Sequence, residues 1–550
     1  MLLATLLIPV VAALAVAAAP ADQARRIAGA GSLAFFGATL ILGAMFDWSR
    51  SAEFQMASWF ALSAGEGGVT VGLAVDGVST MLILLTGLLA PLCVFGSFTA
   101  VSDRPRTFFA WLIALQAPMA GVFMARDIIT FYFCFEFTLI PMFVLIALFG
   151  SSNRRAASVK FFLYTFTGSM MTLAGLVYIV WFNATRLAPD GAGAGAWTFA
   201  IDTLMRASRS MSGSEQAWVL LAMMAGFAVK TPLFPVHTWL PLAHTEAPTA
   251  GSVVLAGVLL KLGTYGLYRF VLPFVPEAVV AWAPLIGVIC VIGILYAGLI
   301  CWVQRDVKKL VAYSSVSHLG FCVLGLFALN AVGSAGSVLY MINHGLSTGA
   351  LFFCIGMIYE RYHTRSMQEL GGLAARMPVW AFFMVFFTLS SVGLPGLNGF
   401  IGEIMCLMGA FQSGATWGVG GTSGPLGPWF GGVAATGMIV SAIYLLYMVG
   451  KVVFGPLKEP HGHGGAHGHG HGHAKDAGAH GALPVDLSKR EIAVLTPLAA
   501  LCLVLGLYPV IALRPLEAPV AANLAAVEAV RSVVAPAEAL AGVEAEGAGR

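Results

Sequence analysis

Residues 217–241 read AWVLLAMMAGFAVKTPLFPVHTWLP, an apolar stretch that contains Lys230, Pro232 and Pro235 near its middle. A membrane-spanning helix needs about 20 mostly apolar residues, and this stretch is long enough. A proline inside a helix removes one backbone hydrogen bond and clashes with the preceding turn. The stretch therefore predicts a membrane helix that is broken beside a lysine.

The composition of the whole chain predicts an all-α, polytopic membrane protein. Its 550 residues are 59% hydrophobic and 10% charged, with a mean hydropathy of +0.86, whereas soluble domains are about 25% charged. Uniformly apolar runs such as 279–299 lack the alternation of a membrane β-barrel. Fourteen stretches are long enough to span a bilayer: 1–19, 28–48, 77–100, 107–125, 128–150, 160–182, 217–241, 249–272, 279–303, 310–330, 335–359, 379–411, 429–453 and 491–513.

The distribution of Lys and Arg predicts that both termini lie on the outer side of the membrane. Fourteen spans place the termini on the same side. With the termini outside, eighteen of the 29 Lys and Arg fall on inner loops and nine on outer segments, and the other two are Lys230 and Lys261. Inner loops of membrane proteins carry an excess of these residues. The first apolar run has no positive charge before it, so we interpret it as a span rather than a signal peptide.

A second interruption, VGLPGLNG at 392–399 around Pro395, lies in predicted span twelve. Spans seven and twelve are five helices apart, and an odd number of crossings inverts the direction of the chain. Interrupted segments at matching places in two halves are typical of transporters built from inverted repeats. We therefore predict two inverted five-helix repeats, helices 4–8 and 9–13, in which Lys230 matches Glu403. The alternative is that the prolines only bend their helices.

These spans divide the chain into six segments. They hold helices 1–3, the first repeat, the second repeat, an inner His/Gly-rich loop, helix 14 and an outer C-terminal tail: 1–100, 107–272, 279–453, 455–490, 491–513 and 514–550. Within the inner loop, His461–His480 holds seven of the twelve histidines among glycines. Such tracts bind metals, but a flexible Gly-rich chain offers no preorganised site, so we expect adventitious metal binding at most.

Six ionisable side chains fall deep inside predicted spans, where such groups are costly and mark ion or proton pathways by default. They are Glu136, Lys230, Lys261, His318, His344 and Glu403. Desolvation disfavours the charged form of a lysine and a nearby carboxylate favours it, so separating the two lets a lysine release its proton. Histidine titrates near neutral pH and can relay protons. The alternatives are a static buried ion pair between Glu136 and Lys230, and ordinary hydrogen bonding of the histidines.

Three further residues, His237, His244 and Glu246, lie near the inner ends of spans seven and eight and form a possible proton access route. Ordinary loop polarity is the alternative. The eight cysteines occur singly in apolar stretches, without the paired spacing of zinc or iron–sulfur sites. The sequence has no Walker A loop and no dinucleotide fingerprint. We therefore expect no cofactor, no metal site and no nucleic acid partner for this chain.

Several motifs resemble the antiporter-like subunits of respiratory complex I. They are FEFTLIPM at 135–142, KTPLFPVHTWLP at 230–241, EAPT at 246–249, SSVSH at 314–318, NHG at 343–345 and GFIGE at 399–403. The resemblance covers roughly residues 76–455, and the motif at 230–241 is highly specific. The glutamate at position 403 makes the resemblance greatest to the M-type subunits, because the L- and N-type sister subunits carry a lysine at the corresponding place.

The resemblance implies one proton channel within a proton-translocating NADH-quinone oxidoreductase of a bacterial inner membrane, beside L- and N-type subunits. NADH, FMN, iron–sulfur clusters and quinone would then be handled by partner subunits. The resemblance also implies a coupled pair, a central relay and an exit-side carrier: Glu136 with Lys230, then Lys261, His318 and His344, then Glu403.

Three other interpretations stay open. A subunit of a Mrp-type cation/proton antiporter or of a membrane-bound hydrogenase would share these motifs. A b-type cytochrome would use His318 and His344 as axial haem ligands, but this leaves the buried lysines and glutamates unexplained. A purely structural membrane scaffold is the third.

Overall fold

A computed structural model describes residues 1–61, 70–187, 197–414, 424–460 and 485–547, with side chains described up to residue 531. The predicted adventitious metal tract His461–His480 lies outside the described residues. The N-terminal helices are α1 (Leu2–Ala18), α2 (Ala21–Met45), α3 (Gly77–Gly96), α4 (Pro105–Ala114), α5 (Gln116–Met124), α6 (Ile128–Phe137), α7 (Leu139–Phe149), α8 (Arg154–Phe182) and α9 (Ile201–Ser208).

Thirteen further helices follow in the central and C-terminal parts of the described chain. The central ones are α10 (Gly213–Lys230), α11 (Leu240–Glu246), α12 (Thr249–Val254), α13 (Leu260–Gly266), α14 (Leu272–Phe274), α15 (Pro276–Trp302), α16 (Val307–Phe327) and α17 (Ala331–Tyr362). The last ones are α18 (Pro378–Val392), α19 (Asn398–Gln412), α20 (Pro428–Val452), α21 (Lys489–Leu507) and α22 (Val510–Gly547). Single 3-10 turns occur at Trp48–Arg50 and Leu373–Ala375.

Several of these helices, alone or joined to the next helix in the chain, are long and apolar enough to cross a membrane. By length and composition, twelve stretches of the described chain qualify. Eleven of them coincide with predicted spans, and the twelfth is the first part of α22, Val510–Arg531. Predicted span one is the shorter helix α1, and spans seven and twelve are the two broken helices. The polytopic helical architecture is thus confirmed, whereas the count of fourteen crossings and the inverted repeats stay predictions.

The predicted break beside Lys230 is present. α10 ends at Lys230, and the chain turns through Pro232 and Pro235 before α11 begins. A helix that stops leaves its last carbonyl groups without helical partners. The indole nitrogen of Trp239 donates a hydrogen bond to one of them, the Val229 carbonyl (3.0 Å). The break is therefore an ordered turn whose backbone is stabilised by the Trp239 side chain.

The second predicted break separates α18 from α19. α18 ends at Val392, and α19 begins at Asn398 after Pro395. Gly393 and Gly396 adopt left-handed backbone angles, with φ of 82° and 94°. Residues with a Cβ adopt such angles at a cost, whereas glycine does not. The glycines predicted to interrupt this span thus supply the turn itself.

A neighbouring helix stabilises the second break. The side-chain amide of Asn343, on α17, donates to the Asn398 carbonyl (2.6 Å), and the Ser390 hydroxyl donates to Oδ1 of Asn398 (2.5 Å). The Asn398 amide in turn donates to Oδ1 of Asn343 (3.3 Å). Backbone polar groups at membrane depth must find partners inside the protein. This set of bonds supplies them and ties α17 to the break.

Predicted span eight is one continuous helix, from α12 to α14, whose pitch changes twice. Wide π-helical turns at Leu255–Leu259 and Leu267–Val271 flank α13, which carries Lys261. Such turns are rare in proteins, and those that occur often lie at functional sites. The helix approaches the first break at Gly263, where an added Cβ would lie 2.4 Å from Oγ1 of Thr231. Lys261 is therefore held on an irregular helix against the broken one.

A two-stranded β-hairpin accompanies the predicted helical fold, outside the membrane helices. Strands β1 (Gln55–Ala61) and β2 (Thr70–Val75) pair in antiparallel orientation. The backbone N–H of Gly72 donates to Oδ2 of Asp127 (2.7 Å), and the N–H of Arg126 donates to the Gly72 carbonyl (2.8 Å). The hairpin is thus fixed to the N-terminal end of α6.

The predicted C-terminal boundaries are also wrong. The last predicted span, 491–513, is too long, because α21 ends at Leu507. The segment predicted as a C-terminal tail belongs, as far as the structure describes it, to the single helix α22. Its backbone and side chains bind α14 and the wide turn before it: the Tyr268 hydroxyl donates to the Pro519 carbonyl (3.0 Å), and the Asn523 amide donates to the Tyr268 carbonyl (2.8 Å).

We expect Gly399→Ala to destabilise the protein, because an added Cβ would lie 1.9 Å from the carbonyl oxygen of Ser390. Overpacking of this kind costs about 1–3 kcal/mol. Gly432→Ala is the matched control, since nothing lies within 4 Å of its added Cβ. Thermal unfolding of the two purified variants checks the expectation. Equal melting temperatures would contradict the tight packing of the second break.

Candidate functional site

Lys230 is buried at the end of α10, with 4% of its surface exposed. Its Nζ donates a hydrogen bond to Oγ1 of Thr138 (3.2 Å) and lies 4.7 Å from the centre of the Phe135 ring. A hydroxyl oxygen and a ring face stabilise an ammonium group without carrying a charge themselves. The lysine thus has neutral partners in direct contact.

Glu136 lies on α6, between those two partners in sequence, and is partly exposed. It lines an apolar cavity of about 610 Å³ between α6 and α8, and its Oε1 has no hydrogen-bond partner among the described residues. Glu136 and Lys230 interact electrostatically. These two residues nevertheless form no direct salt bridge. The alternative of a static buried ion pair between Glu136 and Lys230 therefore does not describe this structure.

Lys261 is fully buried on α13. Its Nζ is 2.7 Å from Nδ1 of His344 and also donates to the carbonyl oxygen of Ala256, inside the preceding π-helical turn. The wide turn thus presents a backbone acceptor to the ammonium group. Lys261 and His344 were predicted as separate relay members, and the structure brings them into direct contact.

His318 and His344 lie on the adjacent helices α16 and α17. Their ring centres are 5.9 Å apart, in an edge-to-face arrangement. Nδ1 of His318 is 2.7 Å from the Tyr340 hydroxyl. The Nε2 atoms of both rings have no hydrogen-bond partner among the described residues. Each histidine therefore has one occupied nitrogen and one free nitrogen, which is the arrangement that a proton relay requires.

Glu403 is fully buried on α19, one turn beyond the second break. Neither carboxylate oxygen has a hydrogen-bond partner among the described residues. A Cβ added to Gly393 would lie 2.9 Å from Oε2, so the carboxylate faces the break. Glu403 also interacts electrostatically with Tyr340. The buried carboxylate thus lies against the second break without a hydrogen-bond partner among the described residues.

Two of the three predicted access residues lie together on α11. His244 is buried, stacks on Phe352 with ring centres 4.7 Å apart, and interacts electrostatically with Lys261. Glu246 lines a cavity of about 520 Å³ and accepts a hydrogen bond from the Ser151 hydroxyl (2.9 Å). Of these two residues on α11, His244 interacts with Lys261 and Glu246 lines the cavity.

The third predicted access residue, His237, lies apart from the other two. Its ring packs against Phe234 and Tyr296, with ring centres 5.9 and 5.7 Å away. Its electrostatic partner is Lys160. The structure therefore does not bring His237 together with His244.

Sequence reasoning missed the neutral members of the site and one buried lysine. Thr138 and Tyr340 carry no charge, so a search for ionisable groups in apolar spans does not find them. Tyr340 precedes His344 by four residues on α17 and so shares its helix face, which is the signal that could have identified it. Lys308 was assigned to an inner loop, but it is buried and donates to the Ala247 carbonyl (2.5 Å).

Comparisons with known proteins agree on one family. The family model described as NADH:quinone oxidoreductase/Mrp antiporter, TM matches residues 125–424. NADH-quinone oxidoreductase subunit M of Rhodobacter capsulatus is 39% identical over 443 residues, 80% of this chain and 80% of that protein. A chain of respiratory complex I from Thermus thermophilus with bound NADH matches with a TM-score of 0.79 and 26% identity, over 96% of this chain and 100% of that chain. A chain of the Mrp complex from Dietzia sp., 20% identical with a TM-score of 0.75, covers 94% of this chain and 96% of its own and shares the fold.

We expect Thr138→Val to destabilise the fold, because it removes the hydrogen bond to Lys230 at nearly constant volume. Leaving a buried donor unsatisfied costs about 1–3 kcal/mol, and more when it is charged. Thr165→Val is the control, since the Thr165 hydroxyl bonds carbonyls of its own helix, the nearer that of Phe161 (2.7 Å). The free energy of unfolding in a detergent titration measures both changes. An equal loss in the two variants would contradict a specific role of Thr138 at Lys230.

Proposed function

The chain belongs to the NADH:quinone oxidoreductase/Mrp antiporter transmembrane family, and from this membership we propose that it is the M-type proton-translocating subunit of an NADH-quinone oxidoreductase. The similarity to the subunit M of Rhodobacter capsulatus supports the assignment. In this proposal the NADH, FMN, iron–sulfur clusters and quinone belong to partner subunits. This chain adds one proton channel beside L- and N-type subunits in the inner membrane of a bacterium.

The observation that carries the proposal is a buried series of proton-exchanging groups. Lys261 contacts His344, the His344 ring lies against the His318 ring, and His318 contacts Tyr340. Glu403 lies beyond Tyr340 within electrostatic range. Ionisable groups at membrane depth are costly and are retained where they serve transport. A structural scaffold would gain nothing from such a series.

Proton release begins, in this proposal, at Glu136 and Lys230. The Glu136 charge favours the ammonium form of Lys230, and desolvation favours the neutral amine, so a change in their separation moves the balance. Thr138 bonds Lys230 and lies two residues from Glu136. A displacement of this segment therefore alters the hydrogen bond and the charge separation together. Lys261 is the buried base that receives the proton next.

The energy for transport comes from outside the chain. Moving one elementary charge against 100 mV takes about 2.3 kcal/mol. The proposed source is the redox reaction in the partner subunits, which reaches this chain as a rearrangement around Glu136. Glu136 is suited to receive it, because it is partly exposed and lines an open apolar cavity.

Two alternatives are separable by experiment. A Mrp-type antiporter or hydrogenase subunit shares the family and the fold, but it would not co-purify with the flavin and iron–sulfur subunits of an NADH-quinone oxidoreductase. A b-type cytochrome would show a Soret band. The family comparisons favour the transporter over the cytochrome.

We expect both termini to face the outer, periplasmic side, as the distribution of Lys and Arg predicts. An epitope tag after residue 550 should then be accessible to antibody in spheroplasts. A tag inserted within 461–480 should be accessible only after the membrane is permeabilised. The reverse pattern would contradict the proposed orientation.

We expect Glu136→Ala to lower proton pumping and NADH-driven quinone reduction together, because a tightly coupled pump stalls its driving reaction. A tenfold loss corresponds to about 1.4 kcal/mol of barrier, and we expect at least this loss of rate. Glu53→Ala is the control, since Glu53 forms an exposed ion pair with Arg50. The assay is proton pumping and quinone reduction by the complex in vesicles. Pumping at the unaltered rate in Glu136→Ala would contradict the proposal.

A further inference from the structure

The proposed path has a gap between His318 and Glu403, and Tyr340 lies at that gap. Tyr340 is 4% exposed, and its hydroxyl is 2.7 Å from Nδ1 of His318. Glu403 interacts electrostatically with Tyr340, and its two oxygens have no hydrogen-bond partner among the described residues. Tyr340 thus contacts a histidine nitrogen and interacts electrostatically with a carboxylate that has no hydrogen-bond partner among the described residues.

The packing of α17 against α19 fixes this arrangement. A Cβ added to Gly402 would lie 2.9 Å from Cα, Cβ and Cδ2 of Tyr340. A Cβ added to Gly336 would lie 2.5 Å from Cβ of Met405. The two helices therefore approach closely at two glycines, and Glu403 follows the first of them directly. Tyr340 is therefore packed directly against the helix that carries Glu403.

We propose that the Tyr340 hydroxyl passes protons between His318 and Glu403, an inference that rests on the proposed function. His318, starting as the imidazolium, gives its Nδ1 proton to the tyrosine oxygen and becomes neutral imidazole. The original hydroxyl proton passes to a carboxylate oxygen of Glu403 once a rotation of the Glu403 side chain or a bridging water closes that contact. One N–H bond breaks, one O–H bond is exchanged at the tyrosine, and one O–H bond forms at the glutamate. Tyr340 is neutral before and after the transfer, and no electron moves.

Other groups near Glu403 fit this role less well. Cys406 and Tyr444 also interact electrostatically with the carboxylate. The Tyr444 hydroxyl, however, accepts a hydrogen bond from Ser441 (3.1 Å). In the described chain, the hydrogen-bond partner of His318 is Tyr340. Tyr340 is therefore the group that contacts the histidine and lies beside the glutamate at once.

The test is Tyr340→Phe in the complete complex reconstituted in vesicles. This change removes the hydroxyl and keeps the ring that packs on Gly402. Positioned proton-transfer groups contribute about 10²–10⁴-fold, and we expect pumping and quinone reduction to fall together at least about tenfold, because water can replace part of the bridge. Proton transfer should then limit the rate, so the solvent deuterium isotope effect should rise. Tyr447→Phe, on the exposed side of α20, is the matched control.

A second variant separates transfer from packing. Tyr340→His retains a side chain that accepts and donates protons, and we expect it to recover part of the pumping lost in Tyr340→Phe. Unchanged pumping in Tyr340→Phe would overturn the inference, and so would an equal loss in both variants with an unaltered isotope effect. Glu136→Ala in the same assay distinguishes a failure of the Tyr340 proton transfer from a failure of the proposed function. If that variant stalls while Tyr340→Phe pumps normally, the bridge fails and the proposed function stands; if neither variant has an effect, the proposed function fails.

Discussion

The burial of two lysine side chains without a carboxylate in direct contact is the constraint on which the rest of the structure depends. Lys230 has a hydroxyl and an aromatic ring as its close partners, and Lys261 has a histidine nitrogen and a backbone carbonyl. Moving an ion from water into a protein interior costs several kcal/mol of desolvation free energy, and hydrogen bonds to neutral acceptors offset only part of that cost. The protonation of each lysine is therefore sensitive to small movements of its neighbours. In a protein selected for stability alone, apolar side chains would fill these positions at lower cost.

The irregular helices give this constraint a structural basis. A regular membrane helix satisfies its backbone internally and leaves no room or acceptor for an ammonium group or a carboxylate. The first break ends α10 at Lys230, and the π-helical turn before α13 presents a carbonyl to Lys261. The second break lies directly against the Glu403 carboxylate. Each irregular segment is stabilised from a neighbour, as Asn343 does for the second break. The helix breaks and the polar side chains thus depend on each other in the membrane, because the breaks offer partners to buried polar groups and polar side chains stabilise the breaks.

Much of this was predictable from sequence, for identifiable reasons. Both breaks were found because prolines and glycines interrupt long apolar runs, and the buried charges were found because such residues are rare there. The π-helical turns were not, since their composition is as apolar as the helix around them. Tyr340 and Thr138 were missed because burying a neutral polar side chain in a membrane helix is far less unfavourable than burying a charge, so their presence there is not conspicuous in the sequence. The hairpin was missed because its strands lie outside the predicted spans, and α22 because the last predicted span, 491–513, merges the end of α21 with the start of α22. Whether two side chains such as Glu136 and Lys230 touch or only approach depends on side-chain geometry that spacing does not fix.

The most direct measurement of the central claim is proton pumping per NADH oxidised by reconstituted complex that carries Lys230→Ala, compared with Lys309→Ala on the exposed start of α16. The account predicts that Lys230→Ala loses pumping and slows quinone reduction, because the buried lysine is itself a proton carrier, while Lys309→Ala behaves as the unaltered protein. Normal pumping and normal electron transfer in a folded, assembled Lys230→Ala complex would contradict the account.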